Sequence, residues 1–305
     1  MSRSLPITVV HLVRRQNGLE PLRAFMASYR RFEAGVEHEL VIAMKGYRPD
    51  HQRDDACKLI DVPHRVIDVP DRGYDVGSYW DIAGQLGSES ACFLNSFSVI
   101  LRSGCLAQLH RAVNLGGVGL AGVTGSYQSF WPTTLSSYLR VSRLIRHRPK
   151  IKELLLAFPF AHHLNFLRRK LVHATQFKPF PNYHVRTTGF MIRRELMARI
   201  SRVAIRSKMD AYRFESGKFG LTAQLLEMGF SPRIVGADGE FYAKNDWHLS
   251  NTFWQSRQEN LLVADKQTRL YAEGSDEMRQ VLAYLAWGDL ARPVLTETGA
   301  CKISA

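Results

Sequence analysis

Residues 91–119 constrain the fold of this chain more than any other part of its sequence. They begin with a short apolar run at 92–94, which leads directly into the polar segment 95–98 and then into a second apolar run, a glycine turn and a helical pattern. An apolar strand that ends in a polar turn before a helix is typical of an open α/β sheet, in which ligands bind at the carboxyl ends of the strands. The segment therefore predicts such a sheet and a binding site at the end of this strand.

Strands and helices alternate over most of the chain. Short apolar runs predict further strands at 7–13, 39–44, 64–69, 118–123, 185–192 and 232–235. Apolar residues at helical spacing predict helices at 19–32, 78–86, 106–114, 136–147, 151–170, 194–200 and 276–287, and a loop followed by a helix within 214–229. This alternation predicts an α/β fold with a mainly parallel sheet flanked by helices.

The composition is that of an ordinary globular protein. The chain has 305 residues, of which 45% are hydrophobic and 23% charged, which suits one large α/β domain. No repeat or linker-like segment interrupts it. We expect a single domain over residues 1–305, with a basic helical insertion at 136–180 and a C-terminal extension at 238–305.

The positive charge is concentrated in one segment. The formal net charge is +13, and residues 140–186 hold eleven lysines and arginines against one glutamate, a surplus of ten. A local basic patch predicts an anionic partner for that segment. Within it, the apolar residues 154–167 lie between basic flanks, which is typical of an interfacial helix on an anionic membrane.

Two alternatives for this basic segment stay open. It could be a lid packed on the sheet with solvated flanks, or it could bind nucleic acid. No helix-turn-helix, RRM or KH signature accompanies the basic residues, so we favour the membrane surface and expect no nucleic-acid partner.

The cellular location is predicted from the cysteines and the apolar runs. Four cysteines form no CxxC pair and show no regular spacing, which indicates free thiols in a reducing compartment. The first apolar run, at 5–13, is too short for a signal peptide, and no stretch approaches the roughly 20 apolar residues of a membrane span. We expect a cytoplasmic protein, attached peripherally to the inner face of the cell membrane through residues 140–170.

Five segments, in their order along the chain, resemble the GT-A glycosyltransferases, in particular the family-2-like bacterial enzymes. The strand at 92–94 and its turn resemble the family's central strand. The other four are HLVRRQNGLEPLRAF, DRGYDVGSYWDIA, VRTTGFMIRREL and FESGKFGLTAQLLEMGF. The resemblance implies a GT-A (Rossmann-like) fold. It also implies a hexosyltransferase that moves a sugar from a nucleotide-sugar donor to a glycan or lipid-linked acceptor in surface polysaccharide or glycoconjugate assembly.

The resemblance implies a donor site at the ends of the first, third and fourth strands. Asp75 lies between two glycines, in a loop whose backbone can approach a ligand closely. Alternatively Asp75 caps the following helix, although Ser78 competes for that place. The polar residues 95–98 could bind diphosphate or sugar by hydrogen bonds, or could simply form a polar turn. The donor-binding residues implied are Leu12, Val13, Arg14, Gly73, Asp75, Asn95, Ser96 and Ser98.

The catalytic base that the resemblance implies is Glu215, with Asp210 close to it in sequence. Glycosyl transfer needs a base for the acceptor hydroxyl and hydrogen-bonding or positive groups for the leaving diphosphate. The alternative for Glu215 is an acid that complements a helix dipole. The acceptor-side residues implied are Arg186, Thr188, Gly189, Asp246 and Trp247.

The carboxylates of the family's metal site are replaced in this chain. Residues 95–98 stand where an Asp-x-Asp motif would bind a divalent cation, and a hard cation prefers several oxygen ligands. We therefore expect no metal ligands and weak or absent metal dependence, with Mg²⁺ or Mn²⁺ left open as a cofactor. Arg14, Arg72 and Arg186 are then the candidates to neutralise the leaving diphosphate.

Other functions stay open on the sequence alone. A GT-A-like domain that lacks its carboxylates could be a catalytically inactive binding or scaffold subunit, and the basic segment could bind nucleic acid. The donor nucleotide is also open, because Lys45 ends the second strand where relatives commonly place an acid against the uracil ring.

Overall fold

The computed structural model describes residues 5–131 and 173–292. The strands in these ranges are β1 (Ile7–Arg14), β2 (Glu39–Lys45), β3 (Arg65–Val69), β4 (Ser90–Leu94), β5 (Val99–Ile100), β6 (Val118–Gly122), β7 (Gly125–Ser126), β8 (His184–Val185), β9 (Gly189–Arg193), β10 (Ser231–Val235), β11 (Phe241–Tyr242) and β12 (Val263–Ala264). The helices are α1 (Glu20–Arg31), α2 (His51–Lys58), α3 (Tyr74–Ala83), α4 (Cys105–Val113), α5 (Arg194–Arg199), α6 (Lys208–Ser216), α7 (Leu221–Glu227), α8 (Lys266–Glu273) and α9 (Asp276–Trp287).

An eight-stranded mixed sheet forms the centre, in the order β11-β10-β6-β9-β4-β1-β2-β3. β1 is parallel to both β4 and β2, β2 is parallel to β3, and β6 is parallel to β10. β9 runs antiparallel between β4 and β6, and β11 runs antiparallel at one edge. The predicted α/β class, with a mostly parallel sheet flanked by helices, is confirmed.

Two apolar cores cover the two faces of this sheet. Side chains alternate along β1, so that Val10 and Leu12 enter one core while Val9 and Val13 enter the other. Helices α1, α2 and α4 pack on the Val9 face, and α3, α5, α6 and α7 pack on the Val10 face. Burial on both faces explains why the central strands are continuous apolar runs.

The carboxyl ends of β1, β2 and β3 lie level along one edge of the sheet, with Arg14 paired to Lys45 in the β1–β2 register. The strand predicted at 185–192 is divided in two. β8 pairs with β7 in a separate small sheet, and β9 joins the main sheet. The backbone between β8 and β9, residues 186–188, therefore lies at this carboxyl edge beside the end of β4.

Four helices differ from the sequence-based expectation. The sequence predicts none of α2, α6 and α8, because α2 buries only Ala56, α6 only Phe214 and Ser216, and α8 only Thr268 and Tyr271, too few residues for a clear helical pattern. The start of the segment 214–229, predicted as a loop, is therefore the end of α6. Helix α3 begins at Tyr74, earlier than the predicted residue 78. Because α3 starts earlier, the loop between β3 and α3 is shorter than predicted, and this loop borders the candidate site.

The C-terminal part of the chain, up to residue 292, packs against the rest. Trp247, Phe253, Tyr271 and Trp287 are buried in the same core as Leu12. The helix predicted at 276–287 is present as α9. This part of the predicted C-terminal extension therefore contributes large aromatic side chains to the core on the Val10 face.

Most of the predicted basic insertion at 136–180 lies outside the described residues. This includes the helices predicted at 136–147 and 151–170 and the apolar stretch 154–167. Residues 293–305 of the predicted C-terminal extension also lie outside. Within the described ranges, no helix combines the length and the apolar character needed to span a membrane.

Candidate active site

A cavity of about 810 Å³ opens at the carboxyl ends of β1, β2 and β3. One wall is the loop between β3 and α3 with the first turn of α3, and the other is residues 202–206. Its volume is in the range of small-molecule sites, and its surplus of positive charge favours an anionic ligand. Five cationic side chains and three carboxylates line it: Arg14, Lys45, Arg72, Arg202, Arg206, Asp71, Asp75 and Asp81.

Lys45 ends β2 beneath this cavity, and only 1% of its surface is exposed. Its ammonium group donates hydrogen bonds to the carbonyl oxygen of Arg72 (2.8 Å), to that of Tyr74 and to the hydroxyl oxygen of Ser78 (2.8 Å). Burial lowers the pKa of Lys45, although the charge of Asp75 acts in the opposite direction. Because three acceptors satisfy the buried ammonium group, Lys45 fixes the β3–α3 loop in place.

The β3–α3 loop has a left-handed backbone at two consecutive residues, Gly73 (φ 70°) and Tyr74 (φ 51°). A Cβ atom at position 73 would lie 3.0 Å from the Cα atom of Gly77, so the turn needs glycine there. Gly73 is also the N-cap residue of α3. Ser78 therefore does not cap the helix, contrary to the alternative drawn from the sequence; it lies within α3 and accepts from Lys45.

Asp75 lines the cavity from the first turn of α3. It is partly buried, and its carboxylate accepts no hydrogen bond from the described residues. Burial raises the pKa of Asp75; the charges of Lys45 and Arg14 oppose this shift, and the charge of Glu215 adds to it. Since no side chain caps α3, the Asp75 carboxylate is available to a ligand in the cavity.

Arg14 ends β1 and forms a bidentate ion pair with Asp71. Its Nε and Nη2 atoms donate to the two carboxylate oxygens at 2.8 and 3.1 Å. The hydrogen bonds lower the pKa of Asp71 and raise that of Arg14. Arg72 forms no ion pair with any described residue, so its charge is available to an anionic ligand, whereas the charge of Arg14 is already balanced. Arg186 forms no ion pair with a described residue either, but its charge acts on Glu215.

The turn after β4 is held by its own hydrogen bonds. The Oδ1 atom of Asn95 accepts from the backbone N–H of Phe97 (2.9 Å) and from the hydroxyl of Ser98 (3.2 Å). The carbonyl oxygen of Thr188 accepts from the backbone N–H of Asn95 (3.1 Å) and from the Ser98 hydroxyl (3.4 Å). Ser96 differs, because its buried hydroxyl has no partner in the described part of the chain. Asn95 and Ser98 thus form a polar turn, and the Ser96 hydroxyl is a buried group without a partner in the described part of the chain.

Ser96 borders a narrow crevice at the end of β1, which it shares with Arg14 and Gly18. Arg14 also lines the large cavity, whereas none of the polar residues 95–98 does. The side chains of Leu12 and Val13 are buried in the two cores, so only their backbone can border the site. The predicted donor-binding residues therefore fall in two neighbouring places, which Arg14 connects.

A divalent cation does not fit the turn after β4. The Oδ1 atom of Asn95 already accepts two hydrogen bonds, and Ser96 and Ser98 offer only neutral hydroxyls. A hard cation prefers several oxygen ligands, commonly with carboxylates among them. Across residues 5–131 and 173–292, no three His, Cys, Asp or Glu side chains are grouped so that they could hold a metal ion. The donor set of this turn therefore does not fit a divalent cation.

Glu215 lies in the last turn of α6 and is fixed by Thr187. Its Oε2 atom accepts from the backbone N–H (2.8 Å) and from the hydroxyl (2.6 Å) of Thr187. Burial by itself would raise the pKa of Glu215, but the charge of Arg186 and the two hydrogen bonds from Thr187 outweigh burial and lower it. The carboxylate is therefore ionised at neutral pH, and its Oε1 atom accepts no hydrogen bond from the described residues.

His184 belongs to this group, although the sequence gives no signal for it. It is buried, and its Nδ1 atom lies 2.8 Å from the carbonyl oxygen of Asn182. A carbonyl only accepts, so Nδ1 carries the hydrogen and Nε2 is the acceptor of the neutral ring. Burial lowers the pKa of His184, while the charge of Glu215 opposes the shift.

The predicted acceptor-side residues lie in different environments. The guanidinium group of Arg186 lies 4.3 Å from the centre of the Phe253 ring, and its buried Nε atom has no partner among the described residues. Trp247 is fully buried in the core, whereas the adjacent Asp246 is exposed. Of these residues, Arg186 alone is tied electrostatically to Glu215.

Two further predicted site residues hold local structure. Asp210 forms the capping box of α6 with Ser207 and an ion pair with Arg213 at 2.6 Å. Gly189 begins β9 at a point where a Cβ atom would lie 2.7 Å from a methyl group of Val123. Thr188 contributes its backbone carbonyl to the turn after β4, as described above.

Sequence reasoning missed the arginines on the far wall of the cavity, Arg202 and Arg206. One signal could have found them, because residues 193–213 contain seven lysines and arginines against two acids. It also missed that Lys45 is buried, since lysine is usually exposed. The electrostatic effect of Glu215 on Asp75 joins residues that are far apart in sequence.

No protein-family model matches the sequence, and no curated protein matches it. Among solved structures, the chain is similar to the mannosyltransferase PcManGT from Pyrobaculum calidifontis in complex with GDP-Man and Mn²⁺ (11% identity, TM-score 0.44, 82% of this chain and 61% of that chain). It is also similar to glucosyl-3-phosphoglycerate synthase from Mycobacterium tuberculosis (16% identity, TM-score 0.33, 63% of this chain and 57% of that chain). A third similar structure is S. aureus TarS 1-349 (12% identity, TM-score 0.32, 39% of this chain and 35% of that chain). The chain thus spans less than two thirds of each structure. Identities and TM-scores this low do not identify its activity.

Proposed function

We propose that this protein is a glycosyltransferase that uses a nucleotide sugar and transfers a hexosyl group to a glycan or lipid-linked acceptor, in surface polysaccharide or glycoconjugate assembly. One observation carries the proposal: a cation-rich cavity at the carboxyl edge of the sheet contains a free carboxylate, Asp75, within electrostatic reach of the ionised and oriented Glu215. An anionic donor and a deprotonating base are the two requirements of glycosyl transfer.

The donor fits the cavity by charge. Arg72 has no ion pair in the described part of the chain, and we assign it to the diphosphate of the donor. The Arg14–Asp71 pair forms the cavity wall beside Arg72. Asp75 accepts hydrogen bonds from donor hydroxyls. Ser96 remains a proposed donor-binding residue by resemblance; its unpartnered hydroxyl is buried beside the neighbouring crevice.

Glu215 is proposed as the base. Thr187 holds one carboxylate oxygen, and the other is free to take the proton of an acceptor hydroxyl. The acceptor oxygen then forms a bond to the anomeric carbon, and the bond from that carbon to the diphosphate oxygen breaks. Arg72 and Arg186 neutralise the charge that develops on the leaving diphosphate. The donor set after β4 gives a metal no place in this scheme.

Residues 140–170 are proposed to hold the protein on the inner face of the cell membrane by their charge. This segment lies outside the described residues, so the proposal rests on its composition. A catalytically inactive binding or scaffold subunit is the second candidate function, favoured by the replacement of the expected carboxylates with the self-bonded turn of Asn95 and Ser98.

A thermal-shift screen of nucleosides, nucleoside diphosphates and nucleotide sugars, with EDTA and with Mg²⁺ or Mn²⁺, tests the proposal. A ligand of the folded state must raise the melting temperature, so a nucleoside diphosphate should stabilise the protein while its nucleoside does so less. Hydrolysis or transfer from the stabilising nucleotide sugar separates an enzyme from a scaffold. Absence of any nucleotide effect would refute both. If EDTA abolishes turnover and Mn²⁺ restores it, the conclusion that the turn after β4 does not fit a divalent cation is wrong.

A further inference from the structure

Phe219 has the most exposed side chain among the large apolar residues of the described ranges, at 75%. It lies beside Val203, which is 40% exposed, at a groove of about 410 Å³ that Met228 also lines. Apolar side chains that are exposed together mark interaction sites more often than single ones do. Val203 also lines the active-site cavity, so the groove and the cavity open side by side.

The two exposed side chains are held next to each other by Gln224. The Oε1 atom of this buried residue accepts from the backbone N–H of Ser201 (2.7 Å), and its Nε2 atom donates to the carbonyl oxygen of Phe219 (2.8 Å). One side chain therefore joins the loop that carries Val203 to the turn that carries Phe219. The pair is a fixed feature of the fold.

The turn at residues 217–220 packs closely on the backbone at the end of α6. A Cβ atom on Gly217 would lie 2.3 Å from the carbonyl oxygen of Arg213, and one on Gly220 would lie 2.6 Å from that of Phe214. The turn is thus pressed against the end of α6. Its backbone is also held by a hydrogen bond from Lys218 to the carbonyl oxygen of Gln176 (2.8 Å). Phe219 is therefore presented from a closely packed, hydrogen-bonded turn.

The segment that carries Val203 is rich in exposed positive charge. Four exposed cationic residues lie on the chain that carries Val203: Arg199, Arg202, Arg206 and Lys208. The acids nearby are few. Asp210 is already engaged in the cap of α6, and Glu227 borders the groove. Exposed aromatic and aliphatic side chains near cations suit the interface of an anionic bilayer. The apolar groups can enter the acyl boundary while the cations lie at the headgroups.

We propose that the Phe219 surface, formed by Val203, Phe219, Arg199, Arg202, Arg206 and Lys208, binds an anionic lipid bilayer. Because Val203 belongs to both the surface and the cavity wall, docking turns the mouth of the cavity towards the lipid. If the proposed function holds, this orientation selects an acceptor presented at the bilayer surface. Binding to the bilayer itself does not depend on that function.

Flotation of the full-length protein with vesicles tests this surface. Vesicles of phosphatidylcholine alone are compared with vesicles of equal parts phosphatidylcholine and phosphatidylglycerol, at low and high salt. The wild type should prefer the anionic vesicles, and salt should weaken binding only in part, because Phe219 also leaves water. Phe219→Ser should reduce partitioning roughly tenfold, as the gain from burying an aromatic ring is lost.

Leu115→Ser is the matched control, since Leu115 is 43% exposed and follows α4, which packs on the Val9 face, whereas the helices on either side of Phe219 pack on the Val10 face. It should partition like the wild type. A second measurement uses Phe219→Trp, whose fluorescence should be quenched by brominated lipids beyond the quenching of the wild-type tryptophans. It reports insertion directly, whatever the effect of Phe219→Ser on folding.

Three results would overturn the proposal: no preference of the wild type for anionic vesicles, equal partitioning of Phe219→Ser and the wild type, or no added quenching in Phe219→Trp. Neutralising the basic residues of 140–170 separates the two membrane proposals, because binding through the Phe219 surface should persist in part. Loss of all binding in that variant, with Phe219→Ser unaffected, would assign attachment to 140–170. The nucleotide thermal shift should be the same in Phe219→Ser and the wild type, so failure of this surface and failure of the proposed function give different results.

Discussion

The ammonium group of Lys45 lies 2.8 Å from the hydroxyl oxygen of Ser78, beneath the loop that borders the cavity. Lys45 ends a central strand, and Ser78 lies in the helix that follows the loop, so this hydrogen bond connects the sheet to the cavity wall. Together with the two backbone carbonyls of Arg72 and Tyr74, it accounts for a lysine that is almost completely buried. A polar group buried in this way stabilises a structure only while its partners remain.

Lys45→Met should destabilise the protein by about 1–3 kcal/mol, because it leaves buried oxygen acceptors without a donor. It should also weaken binding of a nucleoside diphosphate, since the β3–α3 loop loses its support. Urea unfolding measures the first effect. Lys58→Met is the control: Lys58 is exposed and pairs with Asp55 at the surface, so it should change stability by about 0.5 kcal/mol or less. Equal effects of the two substitutions would contradict this account of Lys45.

The burial of His11 predicts that the protein loses stability in mild acid. It is fully buried, its ring is stacked on Phe25 at 3.6 Å, and neither ring nitrogen has a partner in the described ranges. Burial lowers the pKa of His11 from 6.5 to about 3. Between these values the unfolded chain binds a proton that the folded protein does not. His11 therefore reduces the free energy of unfolding as the pH falls, by up to about 1.4 kcal/mol per pH unit.

His11→Phe should flatten the pH dependence of stability between pH 6.5 and 3, as measured by urea unfolding across that range. The substitution keeps a flat ring against Phe25 and removes the titrating nitrogens. His64→Phe is the control, because His64 is exposed, and it should leave the slope unchanged. An unaltered slope in His11→Phe would assign the acid sensitivity to other groups.

The sequence predicts the sheet well and the site less well, for different physical reasons. Strands β1, β2 and β4 are buried on both faces, so each is a continuous apolar run that stands out in the sequence. The direction of β9 cannot be predicted in this way, because an apolar run does not encode whether a strand is parallel or antiparallel. The insertion of β9 between β4 and β6 nevertheless brings Thr187 to the carboxyl edge.

Individual site residues depend on contacts between distant segments. The sequence indicates Glu215 and Asp75 by resemblance alone. Their electrostatic interaction results from packing of α6 against α3, which no local pattern specifies. The hydrogen bonds within the turn at Asn95 were foreseeable as one of two alternatives, because asparagine often bonds to the backbone two residues on.

Arg72→Gln should weaken binding of a nucleoside diphosphate by about tenfold or more, because a charge-assisted contact to phosphate is lost. It should leave binding of the corresponding nucleoside nearly unchanged. Titration calorimetry with both ligands measures the difference. Arg23→Gln, on the exposed side of α1, should affect neither. Equal weakening of nucleoside and diphosphate would place Arg72 against the base instead of the phosphates.

Glu215→Gln should reduce turnover by about 10²–10⁴-fold if Glu215 is the base. The amide keeps the size of the side chain and still accepts from Thr187, so nucleotide binding should persist. Turnover and thermal shift are measured together, with Glu273→Gln on the exposed end of α8 as the control for loss of a carboxylate. Unchanged turnover in Glu215→Gln would exclude Glu215 as the base and leave Asp246 as the candidate, since Asp210 is engaged in the cap of α6.

Thr187→Val should shift the acidic limb of the pH profile of kcat/KM to higher pH. The Thr187 hydroxyl donates to the Glu215 carboxylate at 2.6 Å and is one of the groups that lower the pKa of Glu215. Valine has nearly the same shape but no hydroxyl, so the ionised form loses a hydrogen bond and the pKa rises towards its ordinary value. A base acts only when it is deprotonated, so activity should be lost at a higher pH than in the wild type, while activity at alkaline pH should change less.

Thr175→Val, a threonine-to-valine change elsewhere, should leave the limb where it is. An acidic limb that does not move in Thr187→Val would show that the group titrating in catalysis is not Glu215, even if Glu215→Gln is inactive.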